Sequence, residues 1–387
     1  MISLAATVLQ RFRESFTSEP TLYFSPGRIN LIGEHVDYND GFVMPAAIDK
    51  GIYYAVAANN SNELHFYSMD FDEWLTIAVA DIKKMNNWKN YVLSVVNEFL
   101  LLGHDVKGFD CVFAGDIPRG SGMSSSAAVE GGLAFALNEM LDAGLNRVQL
   151  ALLCQRAEHN FPHVNCGIMD QFANMMGRQD EVLLLDCKTM EHQYFPLQLQ
   201  GYKIVLINSK VHHTLVSGEY NIRRQRCEEG LAILKNQLNI QSFRDITRVE
   251  DLMQYKSGMT EKVFNCCQYV IEEIARTKKA AAFLPQDNLI EFGKLMYATH
   301  EGLSKLYEVS CTELDFLVEL AKKDSHVIGA RMMGGGFGGC TINIVKEEAI
   351  PRFIETTSKE YLQQFDIVAE AYIVATADGT RKLPVTP

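Results

Sequence analysis

Short apolar runs broken by polar turns fill the first part of the chain. TLYFS, GFVMPAAI, GIYYAVAA, ELHFYS and EWLTIAVA are rich in aromatic and β-branched residues, are separated by Asn, Asp, Gly and Ser, and each predicts a strand. Ahead of them, MISLAATVLQRFRESF reads as an amphipathic surface helix. Helices follow over 88–102, 124–140, 148–159 and 168–177, with strands FDCVFAG and EVLLLD among them. Near residue 200 the pattern changes. The strand YKIVLIN leads into helical periodicity over 219–323, and the end returns to HVIGARMM, CTINIVK and AEAYIVAT around an amphipathic helix at 351–363. The pattern predicts an α+β chain of two domains, 1–200 and 201–387, meeting near residues 190–205 without a linker, repeat or low-complexity tract.

Length agrees with this: 387 residues allow two or three domains at about 150 residues each. With 47% hydrophobic residues the chain can bury substantial cores, and a net charge of −12 argues against nucleic acid as a partner. An anionic substrate therefore needs a local cluster of cations or backbone amides. The nine cysteines are scattered, with no CxxC pair, so buried reduced thiols are expected and neither a disulfide framework nor a zinc ribbon. The first apolar run has its arginines after it, the reverse of a signal peptide, and no stretch approaches the roughly 20 apolar residues that span a bilayer. A cytoplasmic protein with no membrane partner is expected, and a monomer.

Three segments carry chemistry. SPGRINLIGEHVDYNDGFVMP, residues 25–45, sets Arg28, Asn30, Glu34, His35, Asp37 and Tyr38 between two apolar strands. Such a set of donors and acceptors suits a polyhydroxylated ligand, or else it is a polar surface turn with a local Arg–Glu pair. GDIPRGSGMSSSAAVEGG, residues 115–132, has glycines that let the backbone come close, then serines opening a helix whose free N–H groups suit an anion. It is neither a Walker A loop nor a nucleophile elbow, since both GxxxxGK[ST] and GxSxG are absent. MMGGGFGGCTINIV, residues 332–345, contains a formal GxGxxG, but a strand follows where a dinucleotide site needs a helix. Its glycines imply a backbone pressed against a ligand or another loop. A further stretch, AEHNFPHVNCGIMDQF, places Glu158 and Asp170 around a Phe-Pro break. Its His159, His163 and Cys166 are poorly arranged for zinc, because Pro162 interrupts any helix that would align them.

Taken together the segments resemble the GHMP family of small-molecule kinases, and within it the galactokinases. GRINLIGEHVDYNDG is similar to the galactokinase signature, PRGSGMSSSAA to the family's phosphate-binding motif, and GGGFGGC to its third motif, in the family's order. The resemblance implies an N-terminal domain like ribosomal protein S5 domain 2, a ferredoxin-like C-terminal domain, and an active site in the cleft between them. It also implies ATP-dependent phosphorylation of the anomeric C1 hydroxyl of galactose, giving galactose 1-phosphate and ADP. Asp170 is then the base and Arg28 its charge partner, while Glu34, His35, Asp37, Gly167 and Tyr220 hold the sugar. Gly120, Ser121, Gly122, Met123, Ser124, Ser125, Ser126 and Ala127 wrap the ATP phosphates, with Trp88 and Tyr91 beside the adenine. Ser126 and Glu158 position Mg²⁺. The chain departs from the family at Val36, Met123 and His212, where Thr, Leu and a Lys or Arg are commoner. The alternatives are a related kinase for N-acetylgalactosamine or L-arabinose, and a silent sensor that binds sugar and ATP. Phosphoryl transfer asks mainly for positioning and charge neutralisation, which these residue types supply.

Overall fold

The computed structural model describes the backbone of residues 3–212 and 216–384, with side chains outside 212–217. Helix α1 (Leu4–Ser15) starts where the Ser3 hydroxyl accepts the Ala6 N–H at 3.2 Å, and it buries Val8, Leu9 and Phe12. Strands β1 (Thr21–Asn30), β2 (Phe42–Val43), β3 (Pro45–Ala58), β4 (Glu63–Ser68) and β5 (Glu73–Ala78) come next. GFVMPAAI and GIYYAVAA, expected as separate strands, are divided differently: Phe42–Val43 stand apart as β2, while Pro45 onward is continuous with the second run in β3, with Gly51 paired to Pro26. After α2 (Lys89–Leu101) and β6 (Phe109–Gly115) come α3 (Ser125–Met140), α4 (Arg147–Asn160) and α5 (Met169–Met176). A small sheet of β2, β7 (Glu181–Asp186) and β8 (His192–Pro196) lies beside them.

The remainder begins with β9 (Tyr202–His212) and four helices, α6 (Val216–Lys235), α7 (Glu261–Phe283), α8 (Leu289–Lys305) and α9 (Thr312–Lys323). It ends with β10 (Val327–Met332), β11 (Gly338–Lys346), α10 (Ile350–Phe365), β12 (Glu370–Val374) and β13 (Arg381–Leu383).

Two larger sheets organise these elements. One runs β13-β1-β3-β6-β4-β5, with β4 and β6 parallel, and α1 packs its apolar stripe on Leu22, Ala55, Tyr67 and Val112. The other runs β10-β11-β9-β12, with α9 and α10 burying Leu317, Val318, Phe353 and Tyr361 against Val205 and Ile207. Strand pairing crosses the division expected near residue 200 where the chain returns at its end: β13 pairs with β1, and Thr376 bridges to Ile48. Three residues of strand gave little periodicity to read. All nine cysteines are free.

Candidate active site

The first segment leaves β1 at Asn30 and is held from elements some 240 to 300 residues away. Arg331, on β10 and fully buried, donates to the carbonyl of Leu31 at 3.0 Å and to the Glu34 carboxylate at 2.7 Å, and also to the carbonyl of Asn30. The Gly334 N–H donates to the same Glu34 oxygen at 3.1 Å. On α7, buried Glu273 accepts the Gly33 N–H at 2.8 Å and the Thr299 hydroxyl at 2.9 Å. Buried charges persist only when paired and hydrogen-bonded, and these anchors meet that condition. Arg331 was missed at the sequence level, although an arginine inside the apolar strand HVIGARMM was a signal for it.

Arg28 and Asp170 meet as a bidentate pair: Nε to Oδ1 and Nη2 to Oδ2, both at 2.7 Å. The same guanidinium donates to the Gly122 carbonyl, and the Arg28 N–H donates to the Met123 carbonyl at 3.1 Å. Burial lowers the pKa of Arg28, but the charges of Asp170 and then Glu34 outweigh it and hold the guanidinium above its ordinary value. Ser124 stands at the start of α3 with φ +57 and makes no cap bond there. Its hydroxyl instead donates to Asp170 Oδ2. The serine expected to open the helix is thus turned onto the carboxylate.

These groups line a small pocket of about 130 Å³ that brings together Arg28, Glu34, His35, Asp37, Glu158, Gly167, Asp170 and Tyr220, with Gly334 and Gly335 from the third motif. Inside it the carboxylates differ. Glu34 is paired with Arg331, whereas Asp37 pairs with no cation among the described residues and its carboxylate accepts the Met169 N–H at 3.4 Å. Burial, then the charge of Asp170, pushes Asp37 up to about 7. Gly167 is required beside it, since a side chain there would strike the Asp37 carboxylate. Both ring nitrogens of His35 are engaged by the protein, Nδ1 with the Tyr38 hydroxyl at 2.7 Å and Nε2 with the Gly335 carbonyl at 3.2 Å.

A second cavity of about 670 Å³ adjoins the first and is lined by Trp88, Tyr91, Phe71, Phe113, Arg119, Ser125 and Ser126, among others. Arg119 lies over the Phe71 ring at 3.9 Å, and the Trp88 indole N–H is spent on Glu73 at 2.8 Å. Phe71 and Arg119 are additions to the residues read from sequence. Met123 and Ala127 are buried, and Gly122 packs against Gly334 rather than facing the cavity. Gly339 packs likewise on Gly120 and Ser121, so two glycines of the third motif press against the 120–122 loop, while Gly336 and Gly338 meet the carbonyls of Val309 and Val211.

Ser126 lines the larger cavity and Glu158 the smaller, with the Ser126 hydroxyl lowering the Glu158 pKa. Burial and then Asp170 push Glu158 up to about 7 all the same, and the Gln171 amide at 2.7 Å is its nearest donor. A buried carboxylate beside a hydroxyl, with no cation of its own, suits a hard divalent cation that keeps one or two protein oxygens and takes the rest from phosphates and water. Elsewhere in the same stretch, His159 Nε2 bonds the Cys166 carbonyl at 2.9 Å while His163 pairs with Lys84 at 2.8 Å, so the two histidines serve different partners. The side chain of His212 lies outside the described residues.

Models for the galactokinase galactose-binding signature, the GHMP kinases N terminal domain and the GHMP kinases C terminal match residues 10–58, 90–178 and 280–361. The chain is 41% identical to the galactokinase of Clostridium acetobutylicum, covering 97% of this chain and 98% of that one. The chain belongs to the galactokinase family. The galactokinase of Thermosipho africanus is 40% identical, with 93% of this chain and 99% of that one covered. A crystal structure of Lactococcus lactis galactokinase complexed with galactose superposes with a TM-score of 0.95 at 33% identity, covering 98% of this chain and all of that one. A mevalonate kinase of Methanococcus jannaschii, at 18% identity and a TM-score of 0.64 over 93% and 99%, shares the fold. The two-domain GHMP kinase architecture expected from sequence is therefore that of this galactokinase-family enzyme. No helix among the described residues is long and apolar enough to cross a membrane.

Proposed function

We propose that this member of the galactokinase family transfers the terminal phosphoryl group of ATP to the C1 hydroxyl of galactose, with Asp170 as base and Arg28 as its charge partner. The observation that carries the reading is the bidentate Arg28–Asp170 pair in the wall of the small pocket, at the edge of the serine-started helix. Asp170 Oδ2 already accepts from Arg28 and Ser124, whereas Oδ1 accepts from Arg28 alone. A carboxylate oxygen has two lone pairs, so Oδ1 is the atom with room for the sugar proton. The hydroxyl oxygen attacks the terminal phosphorus, its proton passes to Oδ1, the bond to the bridging oxygen breaks, and ADP leaves. Asp37, lacking a cation, accepts from sugar hydroxyls on the side away from Asp170, while Tyr220 and Gly167 complete the wall.

ATP occupies the larger cavity, its base against Tyr91 and Trp88 and its phosphates toward Ser125 and the first turn of α3, whose free N–H groups favour an anion. Ser126 and Glu158 are the residues that would hold Mg²⁺. When bound it neutralises phosphate charge and supplies that electrostatic help to transfer. The protein works in the cytoplasm as a monomer in this reading.

The test is product identity. Phosphorus NMR of the product from galactose and ATP should show a phosphate coupled to the anomeric proton, with one ADP released per sugar consumed. A phosphate on any other carbon, or ADP release without a sugar phosphate, refutes the assignment.

A further inference from the structure

Beyond the carboxylates, the small pocket is backed by a continuous line of hydrogen bonds that the transfer chemistry does not use. It starts at the Gly335 carbonyl, 3.2 Å from His35 Nε2. From His35 Nδ1 it passes to the Tyr38 hydroxyl at 2.7 Å, then to the Tyr307 hydroxyl at 2.9 Å, and reaches Cys227 Sγ, 3.2 Å away on α6 and itself in hydrogen-bond contact with Cys266. Tyr307 follows α8, with its carbonyl held by the buried Arg223 at 2.9 Å. The line thus joins the first segment, the glycine turn and two helices of the other half of the chain.

Its direction is determined. A carbonyl can only accept, so His35 Nε2 carries a proton. Burial pushes the imidazole down to about 4, so it is neutral and Nδ1 is an acceptor. Tyr38 must then donate to Nδ1, which uses its only proton, and Tyr307 must donate to Tyr38. That leaves the Cys227 thiol to donate to Tyr307. Burial holds this thiol well above its ordinary pKa, so its proton is in place.

We propose that Tyr38, Tyr307 and Cys227 are positioning residues for the sugar pocket: they lock His35 as its Nε2–H tautomer and through it clamp the Gly335 carbonyl over the sugar. His35 then offers the sugar no nitrogen. It works with Gly334, whose N–H holds Glu34 at 3.1 Å, so two consecutive residues of the glycine turn are tied to two consecutive residues of the first segment. This reading rests on the small pocket being the sugar site. The tautomer itself can be measured without sugar, so the two can fail separately.

Nitrogen–proton correlation NMR on uniformly ¹⁵N-labelled protein, with His35 assigned by its loss in His35→Gln, reads the tautomer directly. The wild type should show protonated Nε2 and bare Nδ1. Tyr38→Phe should leave Nδ1 without its donor and the ring less firmly held, so the galactose KM should rise while the Gly335 carbonyl still favours Nε2–H. Tyr307→Phe keeps the ring but loses both hydrogen bonds of the hydroxyl, to Tyr38 and from Cys227, so the KM for galactose should rise about threefold to tenfold with kcat held. Cys227→Ser, which retains a donor, should match the wild type in tautomer and KM, while Cys227→Ala should drift toward Tyr307→Phe. If a tyrosine variant fails to fold, the cysteine pair still decides. A protonated Nδ1 in the wild type, or equal behaviour of Cys227→Ser and Cys227→Ala together with an unchanged Tyr307→Phe, overturns the proposal. A locked tautomer with galactose KM unmoved in every variant also overturns it, since the clamp would then not bear on the sugar.

Discussion

The small pocket and the larger cavity adjoin at Ser126 and Glu158, yet they are built on opposite plans. In the small one nearly every wall is a charged or hydrogen-bonded side chain already fixed by another: Arg28 by Asp170, Glu34 by Arg331, His35 by Tyr38 and Gly335. Asp37, by contrast, accepts the Met169 N–H at 3.4 Å and pairs with no cation among the described residues. The larger cavity sets the rings of Phe71, Trp88, Tyr91 and Phe113 beside polar residues several of which are already engaged: Asn90, Asn87 and Asp70 accept backbone N–H groups, and the Trp88 indole is turned away to Glu73. The difference teaches where each kind of selectivity resides. A site of fixed polar groups rejects a ligand that leaves them unpaired, whereas an apolar slot discriminates weakly among shapes that fill it. The pocket should therefore be strict and the cavity tolerant.

The strongest way to break the comparison is at Asp170. Asp170→Asn keeps the shape and, through its one oxygen, one of the two hydrogen bonds from Arg28, but cannot take a proton, so kcat should fall by about 10²- to 10⁴-fold. Galactose binding, measured by calorimetry, should stay within about tenfold, since the amide loses little beyond one charged hydrogen bond. Turnover close to that of the wild type would remove Asp170 as the base.

Next in size is the choice between galactose and its 4-epimer, glucose. With His35 engaged on both nitrogens and Glu34 tied to Arg331, Asp37 is the group free to read hydroxyls. One or two buried groups left unpaired at roughly 1–3 kcal/mol each predict at least about a hundredfold lower kcat/KM for glucose. Side-by-side kinetics with the two sugars check it, and comparable use would show that this wall does not read the fourth hydroxyl.

How much of this contrast the sequence held depends on distance along the chain. Arg28, Glu34, Asp37, Gly167 and Asp170 do share one pocket, and the short strands ELHFYS and FDCVFAG form as read, because their pattern is local. What holds them is not local. Arg331 stands in a strand 300 positions from Leu31, Glu273 sits on a helix 240 from Gly33, and neither has a neighbour in sequence that hints at its partner. Ser124 was legible as a helix start but not as a donor to Asp170, since its left-handed backbone reverses the usual cap. The return of β13 was invisible for a different reason: three residues cannot display an alternation.

A third test sharpens the comparison through stability. Asp37 titrates in the folded protein at about 7, above its ordinary 3.8, so the folded chain keeps a proton that the unfolded chain gives up between those values. Stability is therefore lost as pH climbs from about 4 to about 7 and is flat above. Asp37→Asn removes the buried charge, so in the absence of ligands it should be more stable than the wild type at pH 8, by on the order of 4 kcal/mol at most. The gap should close toward pH 4. Denaturant unfolding at several pH values measures this, and a gap independent of pH would mean that Asp37 is ionised at no cost.

The smallest effects belong to the larger cavity. Tyr91 is half-buried in its wall. Burial raises the phenol above its ordinary pKa, so it is neutral at any working pH and adds no charge to the site. If the base is held by contact area and stacking, Tyr91→Phe should change the KM for ATP by less than about twofold. Tyr91→Ala should raise it by about fivefold or somewhat more, the low end of what loss of one base–aromatic stack costs. Neither change should alter the galactose KM, because the sugar wall shares no hydrogen bond with Tyr91. On the same argument GTP should serve within about tenfold of ATP, since an apolar slot has few groups to leave unpaired. If Tyr91→Phe is as damaging as Tyr91→Ala, or GTP is rejected as firmly as glucose, then the cavity reads its ligand by specific polar contacts, and the contrast between the two halves of the site fails.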